Sequence, residues 1–181
     1  MEQPRETAYS VTGSVLRSKL EAHESLFGAS AVQGLKIRIG RDIPRNISQL
    51  EWYPFEILEK ILADIQTHQC SGQVEKLSAI GAETARILLT STYKPLTAGS
   101  NWPLFMQTAS RLHSRYYNRG EMLVTFADDG VCRVDLVGAP RYPLADLHVA
   151  GGFYHNAAII LGAKVSTYRL LVDKNGAHFE I

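Results

Sequence analysis

The sequence predicts an α+β domain in which N-terminal helices pack on a C-terminal four-stranded antiparallel sheet. Two observations carry this. Apolar residues recur at helical spacing up to about Tyr116, and after Gly120 the period drops to 2. Two tight-turn signals, Asp128-Asp129-Gly130 and Lys174-Asn175-Gly176, each separate a pair of extended segments, with one helical stretch between the pairs. Hairpin, helix, hairpin is the expected order. The four strands have few partners elsewhere in the chain, so they form one sheet laid against the helices before it.

Element by element, residues 1–9 read as a disordered tail and residues 10–181 as a single domain. Val11, Val15, Leu16, Leu20 and Leu26 place a helix over 10–27, stopped by Gly28. Residues 29–50 mix an apolar run (Leu35, Ile37, Ile39) with Gly34, Gly40 and Pro44, which leaves a short helix and an irregular connection both open. Trp52, Phe55, Leu58, Ile61, Leu62 and Ile65 form an i, i+3, i+4 stripe, with Pro54 near the first turn, where its missing N–H costs nothing. A further stripe (Leu77, Ile80, Ala85, Leu88, Leu89) predicts a helix over 74–92. Gly81 within it costs about 1 kcal/mol against Ala, which points to a close helix–helix contact. After Pro95 and a loop over 97–101, Asn101 caps and Pro103 opens a helix over 102–116. The hairpin of 122–136 follows, then a helix over 143–161 closed by Gly162, a strand over 164–172 and a last strand over 177–181.

Composition narrows the function classes. A chain of 181 residues supports one well-buried core. Nineteen basic against eighteen acidic residues leave a net charge of +1, with no clustered basic face of the kind a nucleic-acid binder needs. No run approaches the roughly 18 apolar residues of a membrane span, and the first nine residues lack the apolar core of a signal peptide. Cys70 and Cys132 are far apart and suggest no disulfide framework, so a reducing, cytoplasmic setting is expected.

The chain carries no phosphate loop, no dinucleotide fingerprint, no C-x-x-C or H-E-x-x-H metal pattern and no nucleophile elbow. Gly151-Gly152 marks a close backbone approach inside a helix. His23 and His68 fall in polar surroundings and are expected in solvent. His178 belongs on the outer face of the last strand. His148 and His155 share a helix face about 10 Å apart, too far for one metal ion. His113, near the end of its helix, has two readings. It either lines an internal pocket as a ligand or hydrogen-bonding group, or sits at the negative end of the helix dipole. Tyr116, Tyr117, Tyr142 and Tyr154 either rim a ligand cavity with hydroxyls or form amphipathic core edges. Arg141, in the loop ahead of the last helix, is a candidate carboxylate clamp or an ordinary exposed arginine.

Several short segments are familiar together: Trp52-Tyr53-Pro54-Phe55-Glu56, Ile80-Gly81-Ala82-Glu83 with Ala85-Arg86, Leu112-His113-Ser114-Arg115-Tyr116-Tyr117-Asn118, and the closing Gly176-Ala177-His178-Phe179-Glu180-Ile181. They resemble a poorly characterised bacterial family abundant as paralogues in myxobacteria. That family is similar to haem nitric oxide/oxygen-binding (H-NOX) domains, vinyl-reductase-type small-molecule-binding domains and subunits of the TRAPP vesicle-tethering complexes. The resemblance implies that His113 stands where the haem-binding domains carry their iron ligand. Their Tyr-x-Ser-x-Arg propionate motif is not matched: the corresponding Asp135-Leu136-Val137-Gly138-Ala139-Pro140-Arg141 keeps only the arginine. The cysteine-rich metal pattern of the vinyl-reductase-type domains is also missing.

The function expected is therefore a non-catalytic small-molecule-binding or signalling module, with His113, Tyr116, Tyr117, Arg141 and Tyr154 as ligand-binding residues and a small apolar ligand. A protein-interaction scaffold, acting as a homodimer or on a protein partner through the helices at 54–66 and 102–116, is the alternative. A haem-based gas sensor using His113 ranks third.

Overall fold

The computed structural model describes residues 8–91, 94, 101–127 and 130–181. The chain opens with strand β1 (Ser10–Thr12) and helices α1 (Gly13–Phe27) and α2 (Ala29–Ile39). Strand β2 (Trp52–Pro54) leads into helix α3 (Phe55–Gln69), a 3-10 turn (Val74–Leu77) and helix α4 (Ser78–Thr90). Helix α5 (Trp102–Leu112) tightens into a 3-10 turn (His113–Arg115) before the hairpin β3 (Glu121–Phe126) and β4 (Cys132–Val137). Helix α6 (Leu144–Ile160) and the hairpin β5 (Arg169–Asp173) and β6 (Gly176–Glu180) complete it.

The chain is thus α+β, and the four C-terminal strands make one antiparallel sheet in the order β3-β4-β6-β5. One register row, Val124–Val134–Phe179–Leu170, lies on the inner face. The row Leu123–Asp135–His178–Leu171 lies on the outer face, where His178 Nδ1 is 2.6 Å from Asp135 Oδ1. In the second turn, Asp173 Oδ1 accepts from the N–H groups of Asn175 and Gly176 at 2.7 and 3.0 Å. In the first, Gly130 takes φ +87° and donates to Ala127, while Asp128 and Asp129 lie outside the described residues, as do Pro95 and residues 97–100.

Two core clusters divide the helices. Phe179, Val134, Met122 and Cys132 of the sheet pack with Ala85 and Leu89 of α4, Trp102 and Met106 of α5, and Leu147, Tyr154 and Ala157 of α6. The second cluster joins Val15 and Leu16 of α1, Leu35 of α2 and Phe55, Leu58, Ile61, Leu62 and Ile65 of α3 to Ile80 and Val149. Helices α4 and α6 belong to both. They can cross closely because Gly81 faces the backbone of Val149 and Phe153, and Gly152 faces that of Ser78. The contact expected at Gly81 and Gly152 is therefore present.

Several elements differ from the periodicity. Residues 10–12 are extended, not helical: they pair with residues 52–54 on one side, and on the other Thr12 N–H donates to Tyr116 O at 2.9 Å. Tyr9, placed by composition in the tail, stacks on Phe55 at 4.1 Å; residues 1–7 lie outside the described residues. The open stretch after Gly28 resolves into α2, which buries Leu35 and is tied to α3 by a bidentate Arg38–Asp64 pair with both contacts at 2.7 Å. The helix expected over 102–116 ends at Leu112 because the next residues tighten to meet β1. The strand expected from residue 164 starts only at Arg169, after Tyr168 has packed its ring against Gly151 of α6.

His23 is the clearest correction: it is fully buried, and neither ring nitrogen has a hydrogen-bond partner. It follows Ala22 on the inward face of α1 and lies 5.6 Å from the Phe27 ring. Burial pushes its pKa down; nearby Asp64 opposes this and Arg38 adds to it. With the folded value below the unfolded value of about 6.5, the unfolded chain binds the proton first as pH falls. Stability is then full above that value and declines below it. His113 and His148 are shifted the same way by burial. In His23→Leu, urea unfolding measured from neutral pH downwards should show a smaller decline than wild type. An identical slope would mean that His23 is solvated in the folded protein.

Candidate functional site

Between the two clusters lies a cleft of about 220 Å³, walled by α1, α4, α5, α6, the 3-10 turn and β3. Most of its surface is hydrocarbon from Val15, Leu88, Phe105, Leu112, Val149 and Phe153. Strand β1 helps to shape it. Asn118 N–H donates to Ser10 O at 3.1 Å and Val11 bridges to Tyr117, which holds residues 116–118 against the N-terminal strand. This fixes the position of the Tyr117 ring, which stacks on His113 with centroids 5.0 Å apart and planes 9° off parallel.

Four of the five predicted residues, His113, Tyr116, Tyr117 and Tyr154, line this cleft together. Tyr154 donates to the Met122 sulfur at 3.7 Å and meets the Phe179 ring edge-on. Burial lowers the His113 pKa and raises those of Tyr117 and Tyr154, so all three are neutral at physiological pH. Arg141 does not reach the main cleft. It borders a smaller one of about 40 Å³, which shares His113, Tyr117, Asp146, Ala150 and Tyr154 with the first. Its guanidinium donates to both oxygens of Glu59 at 2.9 and 2.7 Å and to Glu56 at 2.9 Å, above the Phe55 ring. It clamps carboxylates of its own chain. Tyr142 lines the smaller cleft, where its hydroxyl accepts from the Ala139 N–H at 2.8 Å.

Two further residues of the cleft escape a reading of the sequence. Lys19 of α1 is only 8% exposed, and Asp146, in the first turn of α6, is half-buried with the cleft before it. Neither makes a hydrogen bond or close ion pair among the described residues, yet each feels the other. Burial pushes the Lys19 pKa down to about 8, opposed by Asp146. Burial pushes the Asp146 pKa up to about 6, opposed by Lys19, with Glu59 adding to the rise. Both are mostly charged at neutral pH. The signal for Lys19 is its place in the stripe Val15, Leu16, Lys19, Ala22, where helical spacing turns it inward. Asp146 likewise shares a face with Val149, Ala150 and Phe153.

Among the described residues, no group of three or more His, Cys, Asp or Glu side chains is arranged to hold a metal ion, and no helix is long and apolar enough to cross a membrane.

The fold, helices joined to a four-stranded antiparallel sheet, is shared with solved structures of H-NOX domains. Solved structures with this fold include an oxygen-binding H-NOX domain related to soluble guanylate cyclases, in its oxygen complex (TM-score 0.70, 12% identity, 93% of this chain and 92% of that chain covered). Others are an H-NOX protein from S. oneidensis in the Fe(II)NO ligation state (0.69, 11%, 93% and 97%) and an unliganded Fe(II) H-NOX mutant from K. algicida (0.64, 14%, 93% and 94%). At these identities the likeness establishes the fold alone. No family model and no curated protein matches the chain.

Proposed function

We propose that the protein is a non-catalytic, sensor-like module that binds a small, mostly apolar molecule in the cleft walled by its helices and strand β3. The observation that carries this is the cleft itself: about 220 Å³, hydrocarbon-walled, with a few convergent polar groups from distant parts of the chain. A fold shared with gas-binding domains supports the sensor reading. So do the short motifs that resemble the myxobacterial paralogues and, through them, the vinyl-reductase-type and TRAPP-subunit domains. The same architecture suits a cytoplasmic signalling protein.

The residues present do not fit a porphyrin, although the H-NOX relatives hold haem. The cleft lies below the roughly 300–1,000 Å³ typical of cofactor sites. Arg141, the remaining match to the propionate motif, is taken by Glu56 and Glu59, and the Asp146 carboxylate lines the space a porphyrin would fill. Haem supplementation should leave the visible spectrum that of free haem. A Soret band of bound haem that disappears in His113→Ala would reverse this assignment.

Native mass spectrometry of the gently purified protein tests the main reading. A stoichiometric non-protein mass is expected, absent from an Ala150→Trp variant that fills the cleft. A bare protein that binds no apolar probe would overturn it and favour the scaffold. Leu104 of α5, half-exposed, lies on a helix proposed to carry partner contacts, so self-association is proposed alongside, and a dimer mass is expected in the same spectrum.

A further inference from the structure

We infer that the cleft selects a ring-sized apolar molecule whose uncharged head group both accepts a hydrogen bond from Lys19 and donates one to Asp146, such as a primary amide. This rests on the proposed ligand-binding reading and names the class of ligand.

The serine and threonine hydroxyls of the cleft and the Tyr154 hydroxyl are occupied, and the His113 and Tyr117 rings stack on each other. Ser18 donates to Val15 O at 2.9 Å, Thr84 to Ile80 O at 2.7 Å and Thr108 to Leu104 O at 2.9 Å. Ser14 pairs with Thr12 at 2.7 Å and Tyr154 with Met122. Lys19 is more than nine-tenths buried, and Asp146, half-buried on α6, lines the same cleft; neither makes a hydrogen bond or close ion pair among the described residues. An ammonium and a carboxylate that line one cleft without pairing present a donor and an acceptor to whatever occupies it. Head-group charge then decides selection. A carboxylate meets Lys19 but sets a second anion beside Asp146, and an amine meets Asp146 but sets a second cation beside Lys19. A neutral donor–acceptor head satisfies both without adding charge. Size limits the rest: a dry cavity of about 150 Å³ accommodates benzene, so about 220 Å³ accommodates a ring with a short head.

Calorimetric titration of the full chain at neutral pH with benzamide, benzoate, benzylamine and toluene tests this. Benzamide should bind at least ~10-fold more tightly than the other three, because a site built for hydrogen bonds penalises an analogue that lacks them. Asp146→Asn should raise benzoate affinity about as much as Lys19→Met raises that of benzylamine. A purely structural ion pair would not produce that exchange. Toluene binding as tightly as benzamide, or charge preferences unmoved in both variants, overturns the head-group inference and leaves the cleft reading standing. If none of the four binds the wild-type protein, both readings fall. The wild-type ranking alone decides the inference if a variant does not fold.

Discussion

Gly81→Ala should destabilise the protein by about 3 kcal/mol, towards the upper end of what overpacking a core costs. In an isolated helix the same substitution is stabilising by nearly 1 kcal/mol, since alanine is the better helix former. The sign reverses here because a Cβ at position 81 would overlap the carbonyl oxygen of Val149 and the amide nitrogen of Phe153. These are backbone atoms of α6 and cannot rotate aside. Gly152→Ala meets the backbone of Ser78 in the same way and should cost a similar amount. To admit either methyl, α4 and α6 must separate, and both helices wall the cleft through Thr84, Leu88, Val149 and Phe153. Urea unfolding of the two variants measures the effect. A neutral or stabilised Gly81→Ala would mean that the helices do not approach this closely.

Phe55→Ala should cost about 3–5 kcal/mol, the range for removing a fully buried phenylalanine. Phe55 is completely buried at the first residue of α3. The Tyr9 ring stacks on it at 4.1 Å, the Tyr117 ring lies 6.4 Å away, and the Arg141 guanidinium sits 5.6 Å from its centroid. Removing the ring therefore takes support from Tyr117, and through it from His113, which line both clefts. Phe55→Leu should recover most of the stability, because it refills most of the volume. Equal losses in the two variants would show that the aromatic contacts outweigh burial.

Much of the architecture is legible in the residues. Alternation in 121–126 and 132–137 and the turn at Asn175-Gly176 announce the sheet because strand pairing between neighbours in sequence is written locally. The stripe of α3 and the cap by Asn101, whose side chain accepts from Leu104 N–H at 3.0 Å, are local in the same sense. Strand β1 is not legible. Val11, Val15 and Leu16 fit a helical period, and the extended conformation of 10–12 is imposed by partners at 52–54 and 116–118. His23 reads as solvated beside Glu21 and Glu24, yet the helix turns it inward while those neighbours face out.

The site divides in the same way. His113, Tyr116 and Tyr117 lie close together along the chain, so the sequence itself was enough to propose them as a group. What it determined was an α+β chain with a hairpin–helix–hairpin half, closely packed glycines and an aromatic segment ending α5. Tertiary structure alone decided that Arg141 is held by Glu56 and Glu59, and that Lys19 and Asp146 line one largely apolar cleft. The physical reason is one of range. Helical and strand periods come from interactions a few residues apart, whereas the cleft is built by contacts such as Ser10 with Asn118, 108 residues away. Such pairings leave no periodic mark on the chain, and their chemistry emerges only when the two cores close on each other.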